Sequence, residues 1–171
     1  MPKLASLDDL LVHELQDIYH AEHQILTALP TMIEAATHPD LKDAFEAHQH
    51  QTEGQVRRLE QAFNLLGVPA KGKQSDGMAG LLAEGKRTIE ADAEPPVLDA
   101  ALIAAAQKVE HYEIASYGCV CTYAEMLGYD QVHELLGQTL DEEETTDQRL
   151  TALAEQVINQ EAAPELLRRE A

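Results

Sequence analysis

Four long stretches of this sequence place apolar residues at alternating steps of three and four, which is the spacing of one face of an α-helix. The first stretch runs from Ser6, a favoured helix N-cap residue, to about Ala36. The others begin near Pro39, Pro95 and Asp130, and proline is well tolerated in a first helical turn. The pattern predicts four long amphipathic helices that bury their apolar faces against one another.

The connections between these helices predict their topology. Short breaks at residues 38–40 and at Gly128 join the first helix to the second and the third to the fourth. Because short connections join antiparallel neighbours, the four helices form two hairpins. The composition of residues 71–77 predicts an exposed linker. The apolar spacing in residues 78–93 predicts a short extra helix that carries the chain from one end of the bundle to the other. We expect this crossover to set the third helix parallel to the first.

The composition supports one all-α domain and argues against two classes of binding partner. The chain has 171 residues, with Ala, Leu, Glu and Gln abundant and aromatics at 4%. We expect one domain over residues 1–171, with the bundle at about 5–160 and a charged tail at 161–171. The 12 basic and 31 acidic residues give a net charge of −19, which argues against nucleic acid and anionic membranes as partners.

Neither a membrane-spanning segment nor a secretion signal is expected, because no run of about 18 apolar residues occurs and acids appear early in the chain. The sequence therefore predicts a soluble, cytoplasmic protein. Cys119 and Cys121 lie two apart on the third helix, where their side chains point about 200° apart. They cannot pair with each other, and we expect reduced thiols in the core.

Polar residues interrupt all four apolar stripes. The second helix has three consecutive polar inward steps, and each of the other helices has one or two inward acids; the residues are His48, Thr52, Gln55, Glu22, Glu110, Glu113, Glu143 and Asp147. A carboxylate is expensive to bury unless a positive charge meets it, and the nearby stripes supply no inward Arg or Lys. Clustered inward carboxylates therefore predict a bound cation.

The interrupting residues share one layer of the bundle. Glu22 lies 16 residues before His38, and Glu113 lies 16 residues before Tyr129. Gln55 and Asp147 lie at nearly the same distance beyond the same two turns. Because every helical residue advances about 1.5 Å, these side chains reach the same height. Thr52 and Glu143 lie about one turn nearer their own turns, so the two hairpins repeat one chemical pattern.

This layout is that of the carboxylate sites in ferritin-like bundles. Four segments carry a more specific resemblance: ELQDIYHAEHQILTALP, HQHQTEGQVRRLEQAFNLLG, AALIAAAQKVEHYEIASYG and LDEEETTD. Through them the chain resembles the YciE/YciF-like ferritin-like proteins over about residues 5–160. The resemblance implies a ferritin-like four-helix bundle with a short extra helix, usually dimeric, a link to bacterial stress responses, and a di-iron or di-manganese site.

The resemblance carries a difference in ligands. Where ferritin-like sites have Glu-x-x-His pairs, this chain has Thr52 and Gln55 on the second helix and Glu143 and Asp147 on the fourth. The expected site is therefore rich in oxygen ligands, with Glu110 or His48 completing it. His48 is either a ligand or a hydrogen-bond partner of one. The candidate ligands are Glu22, Glu110, Glu113, Glu143, Asp147, Gln55 and His48.

The expected function follows from this site. We expect two divalent metal ions, iron or alternatively manganese, in a homodimer that binds Fe(II) and oxidises it with dioxygen or peroxide. The alternative is a structural or interaction protein in which the metal only braces the bundle. Iron storage requires a closed shell of many subunits, which nothing in the sequence favours.

Overall fold

The structure is a computed structural model that describes residues 4–163, and within this range it contains helices and no strand. Five helices are followed by a π-helical turn and a last short helix: α1 (Leu7–Ala35), α2 (Pro39–Leu65), α3 (Asp76–Ile89), α4 (Pro95–Leu127), α5 (Asp130–Leu153), the π turn (Ala154–Ile158) and α6 (Asn159–Ala162). The predicted all-α fold is confirmed. Most of the predicted charged tail at 161–171 lies outside the described residues.

Local chemistry explains where the long helices begin and end. Ser6 and Asp9 form a capping box at the start of α1, in which the Asp9 amide donates to Ser6 Oγ at 3.1 Å. Proline occupies the first turn of α2 and of α4, where its missing amide hydrogen costs nothing. Gly128 ends α4 with a φ of 75°, a left-handed conformation that favours glycine.

The turn between α1 and α2 is held by an acid from α4. Asp99, which is only 2% exposed, accepts hydrogen bonds from the Thr37 amide at 2.7 Å and the His38 amide at 2.9 Å. The Thr37 hydroxyl donates to the same carboxylate at 2.5 Å. This buried acid thus has a structural task, since it accepts from donors that the turn leaves free.

The four long helices form a bundle in which α1 and α5 each pack against both α2 and α4. Two apolar clusters fill its ends. One contains Leu11 and Leu15 of α1 together with Phe63 of α2 and Val120 of α4. The other is built around Leu41, Phe45, Leu102, Ile103 and Leu150. The space between these two clusters is the middle of the bundle, where the polar steps of the stripes fall.

These clusters correct the predicted direction of α4. The first half of α1 shares a cluster with the last half of α4, so the two helices are antiparallel, and the expectation of parallel helices is wrong. The crossover itself explains the result. Since α2 ends at one end of the bundle and α3 carries the chain to the other, α4 starts where α2 starts and runs parallel to it.

The crossover helix α3 lies along α1 and α4, and its Met78 is completely buried against them. A polar network anchors the linker that leads into α3. The Lys73 amide donates to the carbonyl oxygen of Gln16 at 2.9 Å. Ser75 Oγ and Tyr112 Oη donate to Asp17 Oδ2 at 2.8 Å and 2.7 Å. Although the linker composition predicts an exposed segment, Ser75 is fully buried.

Candidate metal centre

A layer of polar side chains fills the middle of the bundle between the two apolar clusters. Every member is at most 4% exposed; the members are Glu22, His48, Thr52, Gln55, Glu110, Glu113 and Glu143. Six of these seven were predicted as candidate ligands from the interrupted stripes, and the structure places all six in the interior. Carboxylates are almost never fully buried unless they are paired, so four in one layer require an explanation.

Four of these side chains meet at one place. His48 of α2, Glu110 and Glu113 of α4, and Glu143 of α5 each offer a ligand atom, and these atoms all lie within 4.8 Å of one another. His48 Nε2 lies 3.5 Å from Glu110 Oε1. We call these four residues the central cluster. A histidine with three carboxylates is a donor set that suits divalent iron or manganese.

The direction of α4 explains why His48 belongs to the central cluster. Counting along α2 places His48 four residues, about one helical turn, before Thr52. Because α2 and α4 run parallel, His48 and Glu110 are both displaced toward the same end of the bundle and face each other there. This displacement along α2 therefore brings His48 against the carboxyl group of Glu110.

Glu22 of α1 lies beside the central cluster. Tyr117 Oη donates a hydrogen bond to Glu22 Oε1, and both side chains are completely buried. Burial raises the pKa of Glu113 well above its ordinary range, and the negative charges of Glu143, Glu22 and Glu110 add to this effect. Glu22 thus adds a fourth buried carboxyl group to the three of the central cluster.

Many polar atoms in this layer have no hydrogen-bond partner within residues 4–163. They include both oxygens of Glu113, both ring nitrogens of His48 and one oxygen each of Glu22, Glu110 and Glu143. Leaving one buried polar atom unsatisfied costs about 1–3 kcal/mol, and more when it is charged. A divalent cation would satisfy several of these atoms at once, so the side chains present fit a metal ion.

Burial controls the protonation of the carboxyl groups in the absence of metal. It raises the pKa of Glu22 to about 8 and that of Glu110 to about 7, and it raises the pKa values of Glu113 and Glu143 well above their ordinary range. The charges of neighbouring carboxylates add to this effect. A cation reverses the balance by favouring the charged forms, so metal binding should release protons.

Burial acts in the opposite direction on the histidine. It lowers the pKa of His48 to about 4, because the interior disfavours the imidazolium cation. His48 is therefore neutral near pH 7. The neutral imidazole is the form that binds a metal ion through nitrogen.

Gln55 connects the cluster to the bundle surface. Its Nε2 donates to Glu143 Oε1 and, at 3.2 Å, to Glu142 Oε2. Arg58 lies one turn further along α2, where it donates to Glu142 at 2.6 Å and to Thr139 Oγ1 at 2.7 Å. Arg58 is thus a nearby base that the stripes did not reveal, but its bonds go to Glu142 instead of the central cluster. The sequence did contain a signal for Arg58, since a residue three positions after Gln55 lies on the same face of the helix.

The structure places Asp147 outside the central cluster. Its Oδ1 accepts a hydrogen bond from Gln107 Nε2 at 3.2 Å and lies 3.5 Å from His111 Nε2. The fourth stripe is predicted to place Asp147 inward, but α5 buries Thr146 instead and leaves Asp147 half-buried. This inward step was assigned one residue too late, since a helical stripe accepts a step of three or of four equally well.

The two cysteines are both free thiols, as predicted. The predicted core position is wrong for Cys119, which is exposed, and confirmed for Cys121, which belongs to the apolar cluster near the α4–α5 turn. Burial raises the pKa of the Cys121 thiol to about 11. Neither residue belongs to the central cluster.

Comparison with known proteins agrees with this architecture. Residues 6–163 match the family model described as Domain of unknown function (DUF892). The chain belongs to this family. Protein YciF of Escherichia coli (strain K12) is 43% identical to it over 160 residues, which are 93% of this chain and 96% of that protein. The resemblance found in the four sequence segments is therefore confirmed.

Solved structures show the same fold. The crystal structure of the E. coli stress protein YciF superposes with a TM-score of 0.88 and covers 91% of this chain and 99% of that one, at 43% identity. A protein from Rhodopseudomonas palustris, described as YcfI, a putative structural protein, gives a TM-score of 0.85 at 43% identity, covering 87% of this chain and 95% of that one. Among residues 4–163, no helix is long and apolar enough to cross a membrane.

Proposed function

We propose that this protein is a dinuclear metal-binding member of its family, which binds Fe(II) and oxidises it with dioxygen or peroxide. One observation carries the proposal. Four buried ligand side chains bring their ligand atoms within 4.8 Å of one another, and most of these atoms have no hydrogen-bond partner in the described part of the chain. Such a cluster costs stability without a cation, whereas it binds one readily.

The ligands divide between two ions by their positions along the layer. His48 and Glu110 would hold one ion, Glu22 and Glu113 would hold the other, and Glu143 would lie between them. When bound, the ions supply redox chemistry, in which Fe(II) passes electrons to the oxidant. Manganese is the alternative metal, because oxygen-rich ligand sets discriminate weakly between these ions.

Other residues of the chain orient the ligands and exclude water from the two ends of the layer. Gln55 donates to Glu143 and Tyr117 donates to Glu22, so each holds one carboxylate oxygen and leaves the other free. The two apolar clusters close the layer from both ends. Direct ligation by Gln55 or Asp147 stays a prediction; Asp147 would have to give up its bond to Gln107.

Aerobic titration of metal-free protein with Fe(II) tests the proposal. We expect saturation at two ions per chain and oxidation faster than in buffer alone. The Glu143→Gln variant should lose both properties. Glu34→Gln, which changes an exposed acid of α1, should keep both. Absence of stoichiometric binding, together with oxidation at the buffer rate, would overturn the proposal.

A metal-braced structural protein is the alternative function. The four buried carboxylates favour it as well, because a cation that neutralises them stabilises the bundle without any turnover. The R. palustris neighbour is itself described as a putative structural protein. Under this alternative, removing the metal lowers the melting temperature, and the metal-loaded protein oxidises Fe(II) no faster than buffer.

We further propose that the protein is a cytoplasmic homodimer that acts in the stress response. The last part rests on the E. coli relative, which is described as a stress protein. Sedimentation or light scattering should give the mass of two chains. A mass of many chains would instead point to a storage shell.

A further inference from the structure

A cleft of about 800 Å³ opens between α1, α3 and α4 and runs into the bundle. This volume falls within the range of small-molecule sites, about 300–1,000 Å³. The walls are mostly apolar and include Leu29, Met32, Leu82, Ile89, Ala106 and Val109. Along α3 the lining extends from Ala79 to Ile89, a helical distance of about 15 Å. The cleft is therefore long enough for an extended chain molecule.

The inner end of the cleft is polar. It is formed by His48 and Glu110 of the central cluster, which are 4% and 1% exposed. Both ring nitrogens of His48 and Oε2 of Glu110 lack a hydrogen-bond partner within residues 4–163. Apolar walls leading to unsatisfied polar atoms match a ligand that has an apolar body and a polar end.

Small side chains create the space. Ala28, Ala79, Ala83, Gly85 and Ala105 all line the cleft. A methyl group added at Gly85 would lie 3.9 Å from the Ala105 side chain, so α3 and α4 touch there and enclose the cleft. Larger residues at these positions would fill the volume.

We propose that this cleft binds a medium-chain apolar molecule with an uncharged polar end group, such as a primary alcohol, with its polar end toward His48 and Glu110. The affinity rises with each methylene that the ligand buries, so a chain of about ten carbons suits a cleft of this length. Whether or not a metal is bound, a charged end group would lose its hydration beside side chains that are at most 4% exposed. An uncharged end group suits both states.

This inference deepens the proposed function, because it gives the metal centre a ligand class, and it rests on that function only for its inner end. Isothermal titration of the full-length protein with 1-decanol tests it, both after chelator treatment and after loading with Mn(II). We expect one saturable site per chain in both states. Decanoate should bind the chelator-treated protein more weakly than 1-decanol.

Two neighbouring residues of α4 provide a matched pair of variants. Ala105→Phe places a ring in the cleft and should lower the affinity for 1-decanol by about tenfold or more. Ala104→Phe makes the same change on the exposed face and should leave the affinity within about twofold. Leu82→Trp fills the cleft from α3 and should act like Ala105→Phe. Thermal melts verify that each variant folds.

Metal content measured on the same samples separates the two proposals. Metal binding without saturable 1-decanol binding overturns this inference and leaves the proposed function standing. Binding of 1-decanol without metal binding overturns the proposed function and leaves this inference standing. If Ala105→Phe and Leu82→Trp change the mass of the protein in solution but not the binding of the alcohol, a second copy covers the cleft and the inference is overturned. Equal affinity for decanoate overturns the assignment of the end group.

Discussion

Replacing Glu22 by glutamine should stabilise the metal-free protein and weaken the metal-loaded one. The substitution keeps the shape of the side chain and lets its amide oxygen still accept from Tyr117. It removes a carboxyl group that must be protonated in the metal-free interior. It also removes a proposed ligand. The two states of the protein should therefore respond to the same substitution with opposite signs.

The size of the effect follows from the raised pKa of Glu22, which burial shifts from 4.5 to about 8. A carboxyl group whose pKa is higher in the folded than in the unfolded protein makes its full contribution to stability below pH 4.5. This contribution is lost as the pH rises toward 8. At pH 7 most of the loss has occurred, at about 1.4 kcal/mol for each pH unit. The substitution should thus raise the free energy of unfolding by as much as about 3 kcal/mol.

Urea denaturation at pH 7 measures this difference, first with a chelator and then with Mn(II) at saturation. A ligand at about 100 times its dissociation constant stabilises the wild type by about 2.7 kcal/mol, and Glu22→Gln should gain much less. Glu34→Gln, on the same helix but exposed, serves as the control and should follow the wild type in both states. A metal-free Glu22→Gln protein less stable than wild type would refute the reasoning, as would an unchanged gain from Mn(II).

Two further predictions concern pH and the α1–α2 turn. In the metal-free protein the free energy of unfolding should fall as the pH rises from about 5 to 8, because Glu22 and Glu110 have raised pKa values. The lowered pKa of His48 has the opposite effect on the free energy of unfolding, but only below about pH 6.5. Denaturation curves that show rising stability over this range would contradict it. The Asp99→Asn variant should lose about 2 kcal/mol of the free energy of unfolding, because the amide and hydroxyl of Thr37 lose a carboxylate acceptor. Urea denaturation measures this loss, and an unchanged denaturation midpoint would show that the turn does not depend on Asp99.

The sequence predicts the four long helices well because each carries its own local signals. The capping box at Ser6, the prolines in first turns and Gly128 all act within a few residues, so no tertiary information is needed to locate them. The inward acids are similarly readable, since Glu22, Glu113 and Glu143 each interrupt an apolar stripe. The structure buries all three.

Other features depend on how distant segments meet. The direction of α4 follows from the path of the crossover, and that direction decides which acid faces His48. The choice between Thr146 and Asp147 depends on the rotation of α5 against its neighbours, which a stripe with steps of three and four leaves open. The hydrogen bond from Tyr117 to Glu22 joins residues 95 positions apart. Periodicity along one helix contains no information about such a pairing.

The central claim is that the buried carboxylate layer is a metal centre, and metal content per chain tests it most directly. The protein is purified without added metal, incubated anaerobically with Fe(II), freed of unbound ions and examined by elemental analysis beside Glu113→Gln and Glu34→Gln. The account predicts two ions per chain in the wild type and in Glu34→Gln, and less than about one in Glu113→Gln. A wild type without bound metal, or full metal content in Glu113→Gln, would contradict it.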